Sequence, residues 1–596
     1  MAGVTGSPPA GPSGHGAILR VAGALVEAVV GPDVAMGDVV ELGPRRLPGE
    51  VVGIRGDRAG IQAFEYTGGL RPGFPVRPTG HPLSAALGPH LLGSVVDGLL
   101  RPLSGAPRWL VPGAPARERA GGHEGHHAAR WEFRPTVQEG SDAAGGACLG
   151  TLHDSGPVVL RVLVPPGVSG PVRGLRAAGP VTAADPVATV GGSVVGITTE
   201  WPVRRPRPVR ERLDLGRPLH TGQRVVDVLF PVARGSTAAV PGGFGTGKTV
   251  LLQQIAKWCD ADVIVYVGCG ERGNELADTV AELGELVDPR TGGRLSQRTV
   301  VIANTSNMPV MAREASIYAG VTVAEYFRDM GLGVVVIADS TSRWAEALRE
   351  FAARTGALPA EEGFPASLAS ALAAFYERAG RAVTLGGDEG SVTVIGAVSP
   401  PGGDVTEPVT VNTQRFTRAV WSLDRSLAYA RHYPAVSWSG SFSRDAEAVA
   451  PWHARAGDPD WAARRAEATA LLGEADRLTE LVELVGMGAL PGRERVVLLA
   501  GRLLRDGVLQ QSALSDVDGS SSAQRSGALV SAVLDVVAEC RRLVEAGVAA
   551  TTLEEVDMGP LLRARDEVGD GDGPEAAATG VAARRDEVLA RLRERT

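Results

Sequence analysis

The chain is 596 residues long, with 44% hydrophobic and 21% charged residues and a formal net charge of -8. At roughly 100–200 residues per domain this length suggests three or four domains of soluble globular composition, and the acidic balance gives no general reason to expect a nucleic-acid partner. Cys148, Cys259, Cys269 and Cys540 form no CxxC pair, which argues for a reducing compartment without a disulfide framework or zinc ribbon. The opening "MAGVTGSPPAGPSGHG" has neither a basic n-region nor an apolar h-region. No window approaches the roughly 18 uninterrupted apolar residues of a membrane span, so no transmembrane segment is expected.

In chain order, residues 1–14 are dominated by Gly, Pro and Ser and read as a disordered tail. "AILRVAGALVEAVV", "GDVVELG", "GEVVGIRGDRAGIQAFEY" and "RPGFPVRPTG" are short β-type runs punctuated by Gly and Pro, and predict an N-terminal β-barrel over 15–85. A junction, 86–108, leads to a module at 109–189 whose "VVLRVLVPPGVSGPVRGLRAAGPVTAADPVATV" again reads as short strands between turns, an inserted β bulge. From 190 to 440 strand and helix patterns alternate: "STAAV" then "KTVLLQQIAKWC", "DVIVYVG" then "NELADTVAELGELV", "GVVVIAD" then "RWAEALREFAART". That alternation implies a mainly parallel sheet covered on both faces, a multidomain α/β architecture with a P-loop core. Residues 441–596, rich in Ala, Leu, Arg and Glu at helical spacing, predict a C-terminal helical domain.

Among 60 basic side chains only Lys248 and Lys257 are lysines. A position that stays lysine against that bias needs a compact ammonium with three donors rather than a planar fork. Lys248 sits in "GGFGTGKT", where Gly242, Gly247, Lys248 and Thr249 satisfy G-x-x-x-x-G-K-[ST] between a strand and a helix. Gly242, Gly243, Phe244, Gly245, Thr246, Gly247, Lys248, Thr249 and Val250 are accordingly the candidate cradle for ATP or ADP. Backbone N–H groups turn inward around phosphate oxygens, the helix N-terminus adds its dipole, Lys248 reaches the β/γ-phosphates and Thr249 can ligate Mg2+. Lys257 reads as a solvated helix charge.

Two other strands end in chemistry that such a site requires. "GLGVVVIADSTSRW" delivers Asp339 where a magnesium-holding carboxylate belongs, and "DVIVYVGCGERGNE" opens onto Glu271 and Arg272. A carboxylate there can polarise water, and a guanidinium can neutralise charge on the γ-phosphate. The H-E-x-x-H pattern of "HEGHH", His123 to His127, would need a helix to align its histidines; Gly121, Gly122 and Gly125 in and around it argue for a solvated loop instead of a zinc site.

"PGGFGTGKT", "GCGERGNE", "ADSTSRWAEALRE", "EEGFPASLAS", "YERAGR", "GAVSPPGGDVTEPV" and "WPVRRPRP" together resemble the catalytic A subunit of V-type and A-type rotary ATPases. The resemblance extends to "TGGLRPGFPV" in the barrel, "RWEFRPTV" in the bulge and "DGVLQQSALSDVD" in the helical domain. It implies a RecA-like core in which Lys248 and Thr249 serve phosphates and magnesium, Glu271 the attacking water, Arg272 and Arg343 the γ-phosphate, and Asp339 the metal. It also implies an alternating ring of three A and three non-catalytic B subunits, with central and peripheral stalk subunits. That ring would stand on the cytoplasmic face of a membrane, coupled to proton or sodium translocation through a separate membrane sector. Stalk contact falls to the helical domain, and the partner subunit supplies an arginine finger in trans.

Departures from the family pattern fall in the phosphate loop and in the base pocket. Gly243 stands where proline is usual, and Thr246 where serine or a regulatory cysteine is usual, which excludes disulfide control at that position. The "FLQQ-x-AF" stretch whose aromatics line the adenine pocket reads "VLQQSAL", with Val508 and Leu514 replacing phenylalanines while Gln510 and Gln511 remain. A reduced adenine grip is expected. Two other classes share this core. A hexameric nucleic-acid translocase would be expected to show a basic or aromatic nucleic-acid surface, which neither the barrel nor the net charge shows; a non-hydrolysing regulatory subunit should have lost Lys248, Glu271 or Asp339, and all three are present.

Overall fold

The computed structural model describes residues 16–103, 130–153, 156–571 and 573–594. The expected tail, 1–14, and the "HEGHH" histidines lie outside the described residues.

Six antiparallel strands, β1 (Gly16–Ala22), β2 (Leu25–Val29), β3 (Asp38–Leu42), β4 (Leu47–Arg55), β5 (Arg58–Ala63) and β6 (Pro75–Pro82), close into a barrel in the order β1-β2-β5-β4-β3-β6. Alternation decides which side chains fill it: Val26 and Ala28 of β2 face inward and meet Ile18, Val40, Ile61 and Val76. A second β unit pairs two four-stranded sheets, one built on Trp131–Pro135 and Cys148–His153, the other on Ser169–Arg173 and Pro186–Val190. Arg204 ties barrel to core, donating to Glu50 of β4 at 2.6 Å and pairing with Glu314.

The core sheet carries β7 (Thr237–Pro241), β8 (Val263–Glu271), β9 (Thr299–Thr305), β10 (Gly333–Asp339) and β11 (Glu389–Val398), parallel to one another in the order β7-β11-β10-β8-β9. Nearly every residue of β8 and β10 is buried, as unbroken apolar runs in a sheet covered on both faces should be. The junction segment contributes an edge strand: Val95–Val96 runs parallel beside β9. Helices α1 (Lys248–Trp258), α2 (Gly273–Glu285), α3 (Val310–Arg328) and α4 (Thr341–Thr355) follow β7, β8, β9 and β10 respectively. Register aligns the strand ends that matter, Gly268 opposite Asp339 and Pro241 opposite Val398. Their C-terminal edge is where ligands sit in open α/β sheets.

The remainder is helical: α5 (Ala446–Arg455), α6 (Trp461–Val485), α7 (Gly492–Leu504), α8 (Ala523–Glu545), α9 (Gly559–Glu567) and α10 (Pro574–Glu594). Leu471, Leu478, Val496, Leu503, Val533 and Val537 form its interior, continuous with the core beneath α1. Fully buried Arg224 stitches the two units together. Its Nε donates to the Val508 carbonyl and one Nη to the Gln510 carbonyl, both at 2.6 Å, while the other Nη pairs with Asp518 at 2.6 Å.

Candidate nucleotide site

The phosphate loop leaves β7 and enters α1 through Gly247, whose φ of 83° is left-handed and whose missing Cβ would stand 3.3 Å from the Tyr433 ring. A side chain there would be both strained and crowded. Gly242 N–H is held by the Val398 carbonyl at 3.0 Å, and Thr246, buried, donates its hydroxyl to Gly243 O at 2.9 Å, so the loop is braced from inside. Its tip is open, with Phe244 92% exposed and Val250 half exposed on the first turn of α1. Lys248 folds back to the strand ends, donating to the Gly242 and Val398 carbonyls at 3.4 Å each and to Ser399 Oγ. Burial pushes its ammonium down from the usual lysine value, while Asp339 and Glu271 pull it back up.

Asp339 ends β10, 3% exposed, and one of its oxygens accepts from Thr249 Oγ1 at 3.3 Å and from Tyr266 Oη at 3.2 Å. Burial raises its carboxyl above the usual aspartate value, with Lys248 and the two hydroxyls opposing. Glu271 ends β8 after Gly270, whose φ is 73° and whose Cβ would come 2.6 Å from that of Arg343. Burial pushes the Glu271 carboxyl up to about 7, Asp339 adds to the rise, and Arg343 and Lys248 oppose it. A carboxyl poised near neutrality is suited to general-base work.

Lys248, Thr249, Glu271 and Asp339 are thus one electrostatic cluster, with Arg343 at its border pairing with Glu346 at 3.0 Å. Arg272 stands apart: its side chain is 75% exposed and its ionic contact is Glu275 at 3.9 Å. Ser399 and Tyr266, to which the motifs assign no role, belong to the cluster. Ser399 could have been found from "GAVSPPGG", because β11 lies directly beside β7.

Beyond Gly245 and Gly247 opens a cavity of about 560 Å3 between the core and helical units, lined among others by Val250, Arg431, Tyr433, Gln510, Leu514 and Arg565. Tyr433 brings an aromatic ring to the wall, although the "VLQQSAL" departures predict a pocket poor in aromatics. Val508 is fully buried in the helical interior and is not among the residues that line the cavity. Leu514 is 98% exposed at the cavity rim. The Gln511 side chain is committed elsewhere, accepting from Arg224 N–H and donating to the Gly222 carbonyl, both at 2.9 Å. Gln510 is left facing the open side, its amide 3.4 Å from the Arg431 carbonyl.

Four family descriptions match in series: the ATP synthase alpha/beta family beta-barrel domain at 18–80, its barrel-sandwich domain at 126–204, its nucleotide-binding domain at 222–443, and the C-terminal domain of V and A type ATP synthase at 450–550. The V-type ATP synthase alpha chain of Anaeromyxobacter dehalogenans strain 2CP-C is 48% identical over 97% of this chain and 99% of its own length. That of Nitrosococcus oceani is 49% identical over 92% and 93%, and the corresponding A subunit of the A-type ATP synthase of Methanopyrus kandleri 46% over 91% and 93%. Among solved structures, the assembled ATPase EscN from the type III secretion system of enteropathogenic E. coli shares the fold, with a TM-score of 0.63 at 23% identity over 88% of this chain and 100% of that one. With this phosphate loop and carboxylate pair on a chain matched nearly end to end, the protein belongs to the family of V-type and A-type ATP synthase alpha chains, or A subunits, which hydrolyse or synthesise ATP in coupling to ion translocation.

Proposed function

We propose that each catalytic site of the rotary complex is built on this chain, with the phosphates on Lys248, the base in the Tyr433 cavity and the attacking water on Glu271. The observation that carries the reading is the convergence of Lys248, Thr249, Glu271 and Asp339 at the C-terminal ends of β7, β8 and β10. Lys248 exchanges Ser399 and two backbone carbonyls for phosphate oxygens, so its charge is already desolvated and aimed before nucleotide arrives. Glu271 accepts a hydrogen bond from water and holds it for in-line attack, taking up the proton as the bond forms. Arg343 borders the developing charge and Arg272, on the open side, reaches it only by reorienting.

Mg2+ fits the residues present. One buried carboxylate and one hydroxyl, 3.3 Å apart beneath the loop, are the few hard oxygen ligands that Mg2+ takes from protein when phosphates and water complete its shell. Bound there it would neutralise phosphate charge and would favour ionised Asp339.

The open face, with Phe244 and Arg272 exposed, is where a neighbouring B subunit would complete the site with an arginine in an alternating ring of three A and three B subunits. Central and peripheral stalks would join that ring to a membrane sector from the cytoplasmic face. We also take 15–85, 86–108, 109–189, 190–440 and 441–596 as the working domain division. The relatives carry ATP synthase names, which favours this class over a nucleic-acid translocase. The test is reconstitution: the purified chain alone should bind Mg-ATP but hydrolyse it feebly, and its cognate B subunit should raise turnover by ~10³-fold or more while light scattering reports a heterohexamer. Full turnover from a monodisperse monomer overturns the arrangement.

A further inference from the structure

A second cavity, of about 220 Å3, lies just past the C-terminal end of α1, in the seam between the nucleotide core and the helical domain. The core supplies Leu219, His220, Asp227 and Asp260 among others, and α5, α6 and the start of α8 supply the facing side. One wall is aromatic. The His453 ring stacks on Trp461 with centroids 4.3 Å apart and planes 3° from parallel, and Trp452 meets His453 edge-on at 5.1 Å. His453 is 7% exposed, and its Nε2 is buried without a hydrogen-bond partner.

The charges in the seam are unevenly matched. Asp227 accepts from Thr221 Oγ1 at 2.7 Å and from Gly222 N–H at 2.9 Å, and lies 3.1 Å from His220 Nδ1. Asp260 pairs with Arg234 at 2.6 Å, and Arg464 is held by Asp458. Arg465 differs: its Nε donates to the Leu229 carbonyl at 2.8 Å, but among the described residues no carboxylate lies within ion-pair distance of it. Burial pushes its guanidinium down from the usual arginine value, with Glu447, which makes no ion-pair contact with it, opposing. A half-buried cation without a counter-ion is a cost that a bound anion removes.

We propose that this seam is a binding site for a small aromatic carboxylate, its ring against the Trp452–His453–Trp461 wall and its carboxylate on Arg465. The dimensions suit one: a cavity of about 150 Å3 admits benzene, so a fused bicyclic acid fits here. The occupant would touch both units at once.

The test is calorimetric titration of the full chain with 2-naphthoate, with ADP saturating the nucleotide site so that the base cavity is closed to the probe. A 1:1 isotherm with a dissociation constant of about 1 mM or tighter is expected, and 2-naphthamide, which keeps the ring and loses the charge, should bind at least ~10-fold more weakly. Arg465→Gln removes the cation, and Gly527→Leu fills the wall of the cavity; either should weaken naphthoate by ~10-fold or more while ADP affinity stays unchanged. Loss in one variant with ADP binding intact sustains the site even if the other fails to fold. The proposal is overturned by the absence of saturable binding at ~5 mM, by equal affinity for acid and amide, or by naphthoate affinity undiminished in both variants.

Discussion

The two ends of the nucleotide site are built in opposite ways. The phosphate end is local: consecutive backbone groups of one loop, with carboxylates delivered by the ends of parallel strands whose register is fixed along their whole length. The proposed base end is drawn from Tyr433, the 510–514 segment and Arg565 of α9, which meet where the helical domain packs on the core, with Arg224 among the ties. Chemistry that must be positioned to fractions of an ångström rests on the sheet. Affinity for a flat ring tolerates a looser wall.

Breaking the phosphate end should therefore cost the most. Lys248→Arg, conservative in charge, replaces a compact ammonium that reaches three acceptors with a planar fork, and turnover should fall by ~10³-fold in a steady-state ATPase assay of the assembled complex. Near-normal kcat would remove the reason given for lysine at 248. Glu271→Gln should cost ~100-fold in kcat while nucleotide affinity, measured by calorimetry, stays within about twofold. If binding and turnover fell together, Glu271 would be holding the loop and not the water. The same residue predicts a pH profile. Its carboxyl sits near 7, and the working form is the carboxylate, so kcat/KM should fall as pH drops through about 7 in the wild type and lose that limb in the Gln variant.

This contrast also governs what could be read without coordinates. The phosphate loop, Asp339 and Glu271 were legible because each follows an apolar strand run, and the meaning of the pattern lies within about ten residues. The barrel was legible from turn residues between alternating strands. Val95–Val96 was not, since two residues become a strand only by pairing with β9. Arg224 was invisible for another reason: nothing marks it among so many arginines, although it decides where Val508, Gln510 and Gln511 stand. Reading Val508 and Leu514 as lost aromatics assumed that the whole "VLQQSAL" segment faces the base, whereas its first residue points into the helical interior.

The base end should break more gently. Tyr433→Ala removes the aromatic wall beside Gly247 and should weaken ATP by about 1–2 kcal/mol, ~5–30-fold, with kcat nearly unchanged because the catalytic groups stand on other elements. Tyr433→Phe keeps the ring and should bind normally. Equal affinity in wild type and the Ala variant would show that the base lies elsewhere.

Leu514→Phe tests the same wall from the other side and should give the smallest effect. Leu514 is 98% exposed, so nothing packs against a new ring to hold it, and ordering it on the base costs side-chain entropy that partly offsets the stacking gain. Had the pocket been without an aromatic, the substitution would supply its first and a gain near the top of the usual range, about 1.5 kcal/mol, would follow. With Tyr433 already in place only the second face of the base is left, and the expected tightening is about 0.5 kcal/mol, ~2-fold, by nucleotide titration. The double variant Tyr433→Ala/Leu514→Phe separates the two accounts: with the tyrosine gone the phenylalanine supplies the pocket's first ring, and its gain should rise toward about 1.5 kcal/mol. A tenfold gain from Leu514→Phe with Tyr433 in place would mean that position 514, and not Tyr433, sets the grip on adenine.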